Sequence, residues 1–324
     1  MLDVIFNEHT LKTAMVLTIP LLLAGMGGAV CIKAGFFNIA LEGYMLIGAF
    51  FSVLGTYTFN NSLVGTLIAV VTTIIYALLN GMIVFKFKAN EIIVGFGFNM
   101  LAISLTGWML TTVIGGKGLF YNPSTPKLVK MNIPLLDNVP ILGSIINNQN
   151  IIFHLGWIFI IVLYVLIYKT KLGYRIRAMG ENPKVLKASG QRMDFYKYIA
   201  VAISGALCGL AGSFIALSDL ALFTENMIAG RGFIAVTTVI FSNGYIPITA
   251  LASFLFGVAH SIGIQLQGIG IPSEFVQMTP YILTVLFLIL SIKTDSIKKK
   301  NQKKNQKKSL YRGGLQLLQR LFLQ

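Results

Sequence analysis

The feature of this sequence that most restricts its fold is a succession of long apolar segments separated by short polar stretches. A helix needs about 20 apolar residues to cross the hydrocarbon core of a bilayer, and most of these segments approach or reach that length. The pattern predicts an all-α, polytopic transmembrane helix bundle with about nine to ten spans. The nine spans that we place lie at about 11–32, 36–57, 62–85, 91–114, 150–168, 198–218, 227–242, 247–267 and 278–292.

The composition supports a helical membrane protein. The chain has 324 residues, of which 55% are hydrophobic and only 11% are charged, with a mean hydropathy of +0.76. Soluble domains carry roughly 25% charged residues. A membrane β-barrel would show short segments of alternating polarity instead of long unbroken apolar runs.

The basic residues indicate how the chain is oriented. The net charge is +15, and most of the basic residues lie at 169–197 or 293–308, beside apolar segments. Such clusters mark the cytoplasmic side of a membrane protein, so this distribution favours a membrane surface over nucleic acid as the partner. We therefore expect a transmembrane domain at 1–292, a cytoplasmic loop at 169–197, and a basic, disordered cytoplasmic tail at 293–324.

The loop 169–197 carries a helix pattern of its own, GENPKVLKASG at 180–190. Asn182 suits the N-cap, Pro183 suits the first helical position, and Gly190 suits the left-handed residue that ends a helix. This spacing predicts a surface helix of about two turns. Such a helix could dock into a groove on a cytoplasmic partner, and a plain connecting helix is the alternative.

Patterns for catalysis are absent from the sequence. It contains no GxxxxGK[ST] nucleotide-binding loop, no GxSxG or HExxH, and no His, Cys, Asp or Glu cluster with metal-ligand spacing. We therefore expect neither an enzyme nor a metal site.

Glycines and a faint internal similarity suggest how the spans pack. Gly205, Gly209 and Gly212 share one predicted span, and small residues at such spacings let helices approach closely in lipid. AGFFNIA at 34–40 is weakly similar to AGRGFIA at 229–235, and the predicted topology gives the two copies opposite orientations. This is the arrangement of an inverted repeat.

Several longer segments carry patterns that are more specific together than alone. They are KAGFFNIALEGYMLIGAF, KANEIIVGFGFNML, YRIRAMGENPKVLKASG, ISGALCGLAGSFIAL, AGRGFIAVTTVIFSNGYIP and FGVAHSIGIQLQGIGIP. From about residue 15 to 292, the chain resembles the permease subunits of bacterial ABC importers for simple sugars, branched-chain amino acids and nucleosides. AGRGFIA, the FG…QLQ segment and MTPYILT are most similar to the nucleoside branch.

The resemblance implies a fold, partners and a location. The fold would be that of a type II ABC importer permease, placed in the bacterial plasma membrane. The chain would form the path for a small polar solute, with nucleosides ahead of ribose-like sugars and branched-chain amino acids. Separate ATP-binding cassette subunits would use the ATP, a second permease chain (identical or related) would complete the path, and an extracytoplasmic substrate-binding lipoprotein would deliver the solute.

The resemblance also implies that the loop helix couples the permease to the ATPase. Its coupling residues would be Glu181, Asn182, Pro183, Lys184, Ala188, Ser189 and Gly190. Lys187 departs from the acidic or small residues that the family places near this helix end. This departure bears on how the helix would dock.

Two other classes of function compete with an ABC permease. A stand-alone, ion-coupled secondary transporter would need ionisable pairs within its spans, and the predicted spans hold little beyond Glu42 and His260. A membrane scaffold without transport would leave Glu42 and Asn99 without a transport role.

Glu42 is the only formally charged residue between Lys33 and Lys86. A charge at mid-span costs about 2.5–3.5 kcal/mol on insertion scales, so such residues face a bundle interior or a wet cavity. Glu42 could therefore lock helices together, or it could line the solute path. The candidate path residues are Asn38, Glu42, Asn99, His260, Gln265 and Gln267.

Overall fold

The computed structural model describes residues 8–115, 118–132, 146–183, 188, 190 and 193–268. Within these ranges we number the helices α1 to α9 and the strands β1 to β4. The helices are α1 (Glu8–Lys33), α2 (Leu41–Phe59), α3 (Ser62–Lys86), α4 (Glu91–Thr112), α5 (Ile151–Lys169), α6 (Lys171–Glu181), α7 (Met193–Leu217), α8 (Arg231–Ser242) and α9 (Ile246–Gly268). The strands are β1 (Leu119–Tyr121), β2 (Lys130–Met131), β3 (Gln149–Asn150) and β4 (Leu222–Thr224).

Asparagines start three of the long helices. Asn61, Asn90 and Asn150 cap α3, α4 and α5, and each side chain accepts a hydrogen bond from a backbone N–H in the first turn. These contacts satisfy donors that have no partner inside the helix. The caps explain why the apolar runs become helical where they do.

Lysines in the last turn of three helices define one end of the bundle, which we call the basic end. Lys33 ends α1, Lys86 ends α3 and Lys169 ends α5. Cations at helix C-termini complement the helix dipole.

Glycines bring the central helices into backbone contact. A methyl group at Gly48 in α2 would lie 2.8 Å from the Cα of Gly209 in α7. One at Gly205 would lie 2.9 Å from the carbonyl oxygen of Thr73 in α3, and one at Gly27 in α1 would lie 3.0 Å from the Cα of a residue in α7. The close packing predicted from the glycines is confirmed.

The predicted number of nine to ten spans is not confirmed. In the described part of the chain, six helices are long and apolar enough to cross a membrane: α1, α3, α4, α5, α7 and α9. α2 is buried along most of its length and is not among them. The predicted span 278–292 and the tail 293–324 lie outside the described residues.

The predicted span 227–242 was wrong in its length. Its helix, α8, begins only at Arg231 and has 12 residues. At 1.5 Å per residue it is about 18 Å long, too short to cross the hydrocarbon core alone. The preceding residues instead continue from β4 through a turn in which Asn226, Ala229 and Gly230 all have positive φ.

Two short antiparallel sheets depart from a purely helical fold. β1 pairs with β4 in the register Leu119↔Thr224, and β2 pairs with β3 in the register Lys130↔Asn150. The first sheet ties the segment after α4 to the segment before α8. It therefore helps to fix where α8 begins.

α8 runs in the same direction as α1. A methyl group at Gly25 would contact Thr238, one at Gly28 would contact Val239, and the Lys33 side chain reaches Asn243 at the end of α8. α8 therefore ends at the basic end, and its N-terminus lies within the bundle.

Candidate functional site

The carboxylate of Glu42 lies against the N-terminus of α8. Its Oε1 accepts a hydrogen bond from the backbone N–H of Gly230 at 2.7 Å, and its Oε2 accepts one from Gly232 at 2.6 Å. The residue is only 3% exposed. The acidic side chain in the apolar segment thus has a partner for each carboxylate oxygen.

Two helix N-termini meet at this carboxylate. Glu42 lies in the first turn of α2, and its side chain caps α8. Each N-terminus carries about half a positive elementary charge, which a carboxylate complements. The guanidinium of Arg231 is within electrostatic range of Glu42, and its Nη1 donates to the carbonyls of Met227 (3.1 Å) and Ile228 (3.2 Å).

Glycines make this approach possible. Gly230 is the N-cap of α8 and has φ +84°, a left-handed conformation that glycine adopts without steric cost. A methyl group at Gly232 would overlap the backbone N and Cα of Glu42. Only a residue without a side chain fits between α2 and α8 at this point.

Asn99 of α4 secures the beginning of α2. Its Oδ1 accepts from the backbone N–H of Gly43 at 2.8 Å, and its Nδ2 donates to the carbonyl of Ile39 at 3.1 Å. Asn99 is 4% exposed. One amide therefore satisfies two backbone groups of the neighbouring helix start.

Asn38 lies on the other side of the same helix start. Its Oδ1 accepts from the backbone N–H of Ala40 at 3.0 Å, and its Nδ2 donates to the Oγ of Ser204 in α7 at 3.2 Å. Asn38, Glu42 and Asn99 are thus brought together around the start of α2. All three bind protein groups.

The other three candidate path residues lie elsewhere, on the last turns of α9. His260 is partly buried and within electrostatic range of Arg231, and Gln267 is exposed. The Nε2 of Gln265 lies 3.2 Å from the Nδ1 of His9 in α1. Gln265 therefore contacts α1, away from the start of α2, whereas His260 lies near Arg231 at the beginning of α8.

The predicted coupling residues begin at Glu181, the last residue of α6, at the basic end. Asn182 is the C-cap of α6, and its backbone N–H donates to the carbonyl of Ala178 at 2.9 Å. Gly190 has the predicted left-handed conformation, with φ +73°. The exposed members of the set are Glu181, Asn182, Pro183, Ala188 and Gly190. Lys184 and Ser189 lie outside what the structure describes.

Sequence reasoning missed the partners of Glu42. Gly230 and Gly232 belong to AGRGFIA, whose similarity to 34–40 and to the nucleoside branch did not indicate a contact with Glu42. The aligned glycines Gly35 and Gly230 both have positive φ, +73° and +84°. The contacts themselves are made by backbone N–H groups, which any residue other than proline carries.

Residues 10–291 match the family described as the branched-chain amino acid transport system / permease component. The chain belongs to this permease family. As a permease it is not itself an enzyme.

The permease is similar to proteins with named transport roles. It is 32% identical to the guanosine ABC transporter permease protein NupQ of Bacillus subtilis, over 85% of this chain and 89% of that protein. It is 30% identical to the nucleoside ABC transporter permease protein NupC of Lactococcus lactis, over 85% and 90%. Among solved structures, PsaBC from Streptococcus pneumoniae in complex with Fab aligns with a TM-score of 0.45 at 16% identity, over 87% of this chain and 91% of that one.

Proposed function

We propose that this permease forms the membrane path of an ATP-driven importer for nucleosides. The observation that carries the proposal is the match to two permeases named for guanosine and for nucleosides, each over 85% of the chain. The family match over residues 10–291 includes the start of α2, α8 and the loop after α6. Ribose-like sugars and branched-chain amino acids are the competing substrate classes.

The charge distribution supports an orientation. The basic end carries Lys33, Lys86 and Lys169, and α6 adds further basic residues there. By the positive-inside rule this end faces the cytoplasm. The loop 169–197 then faces an ATPase, β1 to β4 face outward towards a substrate-binding lipoprotein, and the C-terminus is cytoplasmic.

A second permease chain completes the path in this proposal, and a related chain is favoured over an identical one. This chain is also 25% identical to the guanosine ABC transporter permease protein NupP of Bacillus subtilis, over 84% of this chain and 78% of that protein. It thus resembles two differently named permeases of one organism, and more strongly the one called NupQ. A heterodimer of two related permeases fits this pattern.

The two amides and the carboxylate at the start of α2 have a structural role in the proposal. Asn38, Glu42 and Asn99 are each less than 5% exposed and bonded to protein groups. They would therefore hold the helices that surround the path and would not contact the solute.

The direct test is uptake by the complex purified from native membranes and placed in liposomes with its binding protein. We expect uptake of labelled guanosine that requires ATP and that unlabelled nucleosides, but not ribose or leucine, suppress. Uptake by this chain alone without ATP would establish a secondary transporter instead. Suppression by ribose or leucine, with no effect of nucleosides, would reassign the substrate class.

A further inference from the structure

One stretch of chain holds both ends of α8. This stretch, Lys33–Glu42, joins α1 to α2, and we call it the connector. At one end of α8 the Glu42 carboxylate accepts the N-terminal N–H groups, and at the other the Nζ of Lys33 donates to the carbonyl of Asn243 at 3.0 Å. An anion at the N-terminus and a cation at the C-terminus both complement the helix dipole.

The connector is also in backbone contact with α6. A methyl group at Gly35 would lie 3.0 Å from the Cα of Gly180, and one at Gly180 would overlap the carbonyl oxygen of Lys33. Glu181, the next residue, attracts Lys33 electrostatically. No side chain separates the end of α6 from the connector at this contact.

The connector is braced along its length. The backbone N–H of Phe37 donates to Oε2 of Glu91 in α4 at 3.2 Å, and Asn38 donates to Ser204 in α7. Ala34, Phe36 and Ala40 are at most 2% exposed. Close-packed interiors have low compressibility and transmit strain, so a movement imposed at Gly35 would be passed on towards Glu42.

We propose that the connector is a lever that couples α6 to the short helix α8. A shift of α6 would move the connector through the Gly180–Gly35 contact, and Lys33 and Glu42 would move α8 as a rigid body. Lys33 and Gly180 are then positioning residues that never touch the solute. The lever rests on the proposed function, because that function places the loop containing α6 against the ATPase.

The test compares uptake with ATP hydrolysis in liposomes that contain the purified complex and its binding protein. Lys33→Met keeps the aliphatic stem but removes the ammonium group, whereas Lys33→Arg keeps a cationic donor. Lys86→Met is the matched control, since Lys86 is exposed at the same end of the bundle. Gly180→Ala adds the methyl group that does not fit, and Gly97→Ala adds one where no atom lies within 4 Å.

We expect Lys33→Met and Gly180→Ala to lower guanosine uptake per ATP hydrolysed about tenfold, which lies within the range for residues that carry coupling between sites. Both complexes should still assemble and hydrolyse ATP, Lys33→Arg should restore most of the uptake, and the two controls should match the wild type. Unchanged uptake per ATP in Lys33→Met overturns the lever. The lever is also overturned if Lys33→Met and Lys33→Arg lose the same amount of uptake. It is overturned as well if Lys33→Met and Gly180→Ala both fail to assemble. Either result would assign these residues to packing alone.

The wild-type complex separates this inference from the proposed function. If the wild type takes up guanosine with ATP and the variants behave like it, only the lever fails. If the wild type shows no ATP-driven uptake of any nucleoside, the proposed function fails, and the lever that rests on it fails too.

Discussion

The backbone N–H of Gly232, the second residue of α8, donates a hydrogen bond of 2.6 Å to the carboxylate of Glu42, the second residue of α2. Two helices that are far apart in sequence therefore begin at one buried acidic side chain. The charge that looked out of place in an apolar segment complements two helix N-termini.

Replacing Glu42 should destabilise the folded protein. Glu42→Ala leaves the buried N–H of Gly232 and the partly buried N–H of Gly230 without their acceptor, and a buried unsatisfied group costs about 1–3 kcal/mol. Glu42→Gln should have a smaller effect, because its amide oxygen can still accept one bond while its NH₂ group faces the second donor. We would measure the melting temperature and yield of the detergent-solubilised protein.

The control for this charge change is Glu225→Ala, since Glu225 is exposed. It should melt like the wild type. A Glu42→Ala protein that is abundant and as stable as the wild type, but inactive in transport, would contradict the structural role. The carboxylate would then belong to the solute path.

Gly232→Ala should be severe for a steric reason. Its methyl group would overlap the backbone of Glu42, so α2 and α8 would have to separate and lose their hydrogen bonds. Overpacking alone costs about 1–3 kcal/mol. The same substitution at Gly97 meets no atom within 4 Å and should be neutral or stabilising, by up to about 1 kcal/mol.

Equal melting temperatures for Gly232→Ala and Gly97→Ala would show that α8 can shift away from α2 at no cost. That result would remove the argument that the two helix starts are rigidly joined.

The sequence sufficed to place the long helices because length and apolarity alone decide them. The segment predicted at 62–85 begins with α3 and ends one residue before it, and the segment predicted at 150–168 differs from α5 by one residue at each end. Their ends carry asparagine caps and terminal lysines, which are legible in the sequence. The close helix packing was predictable from a separate pattern, the spacing of Gly205, Gly209 and Gly212.

The sequence did not reveal where α8 begins. The residues before Arg231 include Met227 and Ile228, which extend the apolar pattern, although the backbone there turns through positive φ at Ala229 and Gly230. The spacing of hydrophobic residues does not show where the backbone leaves a helix and turns. The pairing of Glu42 was hidden for a related reason, since its partners are backbone groups.

Asn99→Ala should also lower stability. The variant removes the acceptor for Gly43 N–H and the donor to the Ile39 carbonyl, both at the buried start of α2. We expect a loss of about 1–3 kcal/mol per unsatisfied group, measured as a fall in melting temperature. Ser104→Ala on the same helix is the control, because Ser104 is exposed. A solute-binding role for Asn99 would instead leave the melting temperature unchanged and weaken uptake.

Ala188→Trp tests whether the surface after α6 contacts the ATPase. Ala188 is helical and exposed, so a bulky side chain there meets solvent in the isolated permease and would clash only with a docked partner. We expect unchanged insertion and melting temperature, with loss of ATP-driven uptake and weaker co-purification of the ATPase. Lys86→Trp places the same side chain at another exposed position of the basic end and should preserve uptake. Normal uptake by Ala188→Trp would reduce the predicted helix at 182–190 to a plain connection between α6 and α7.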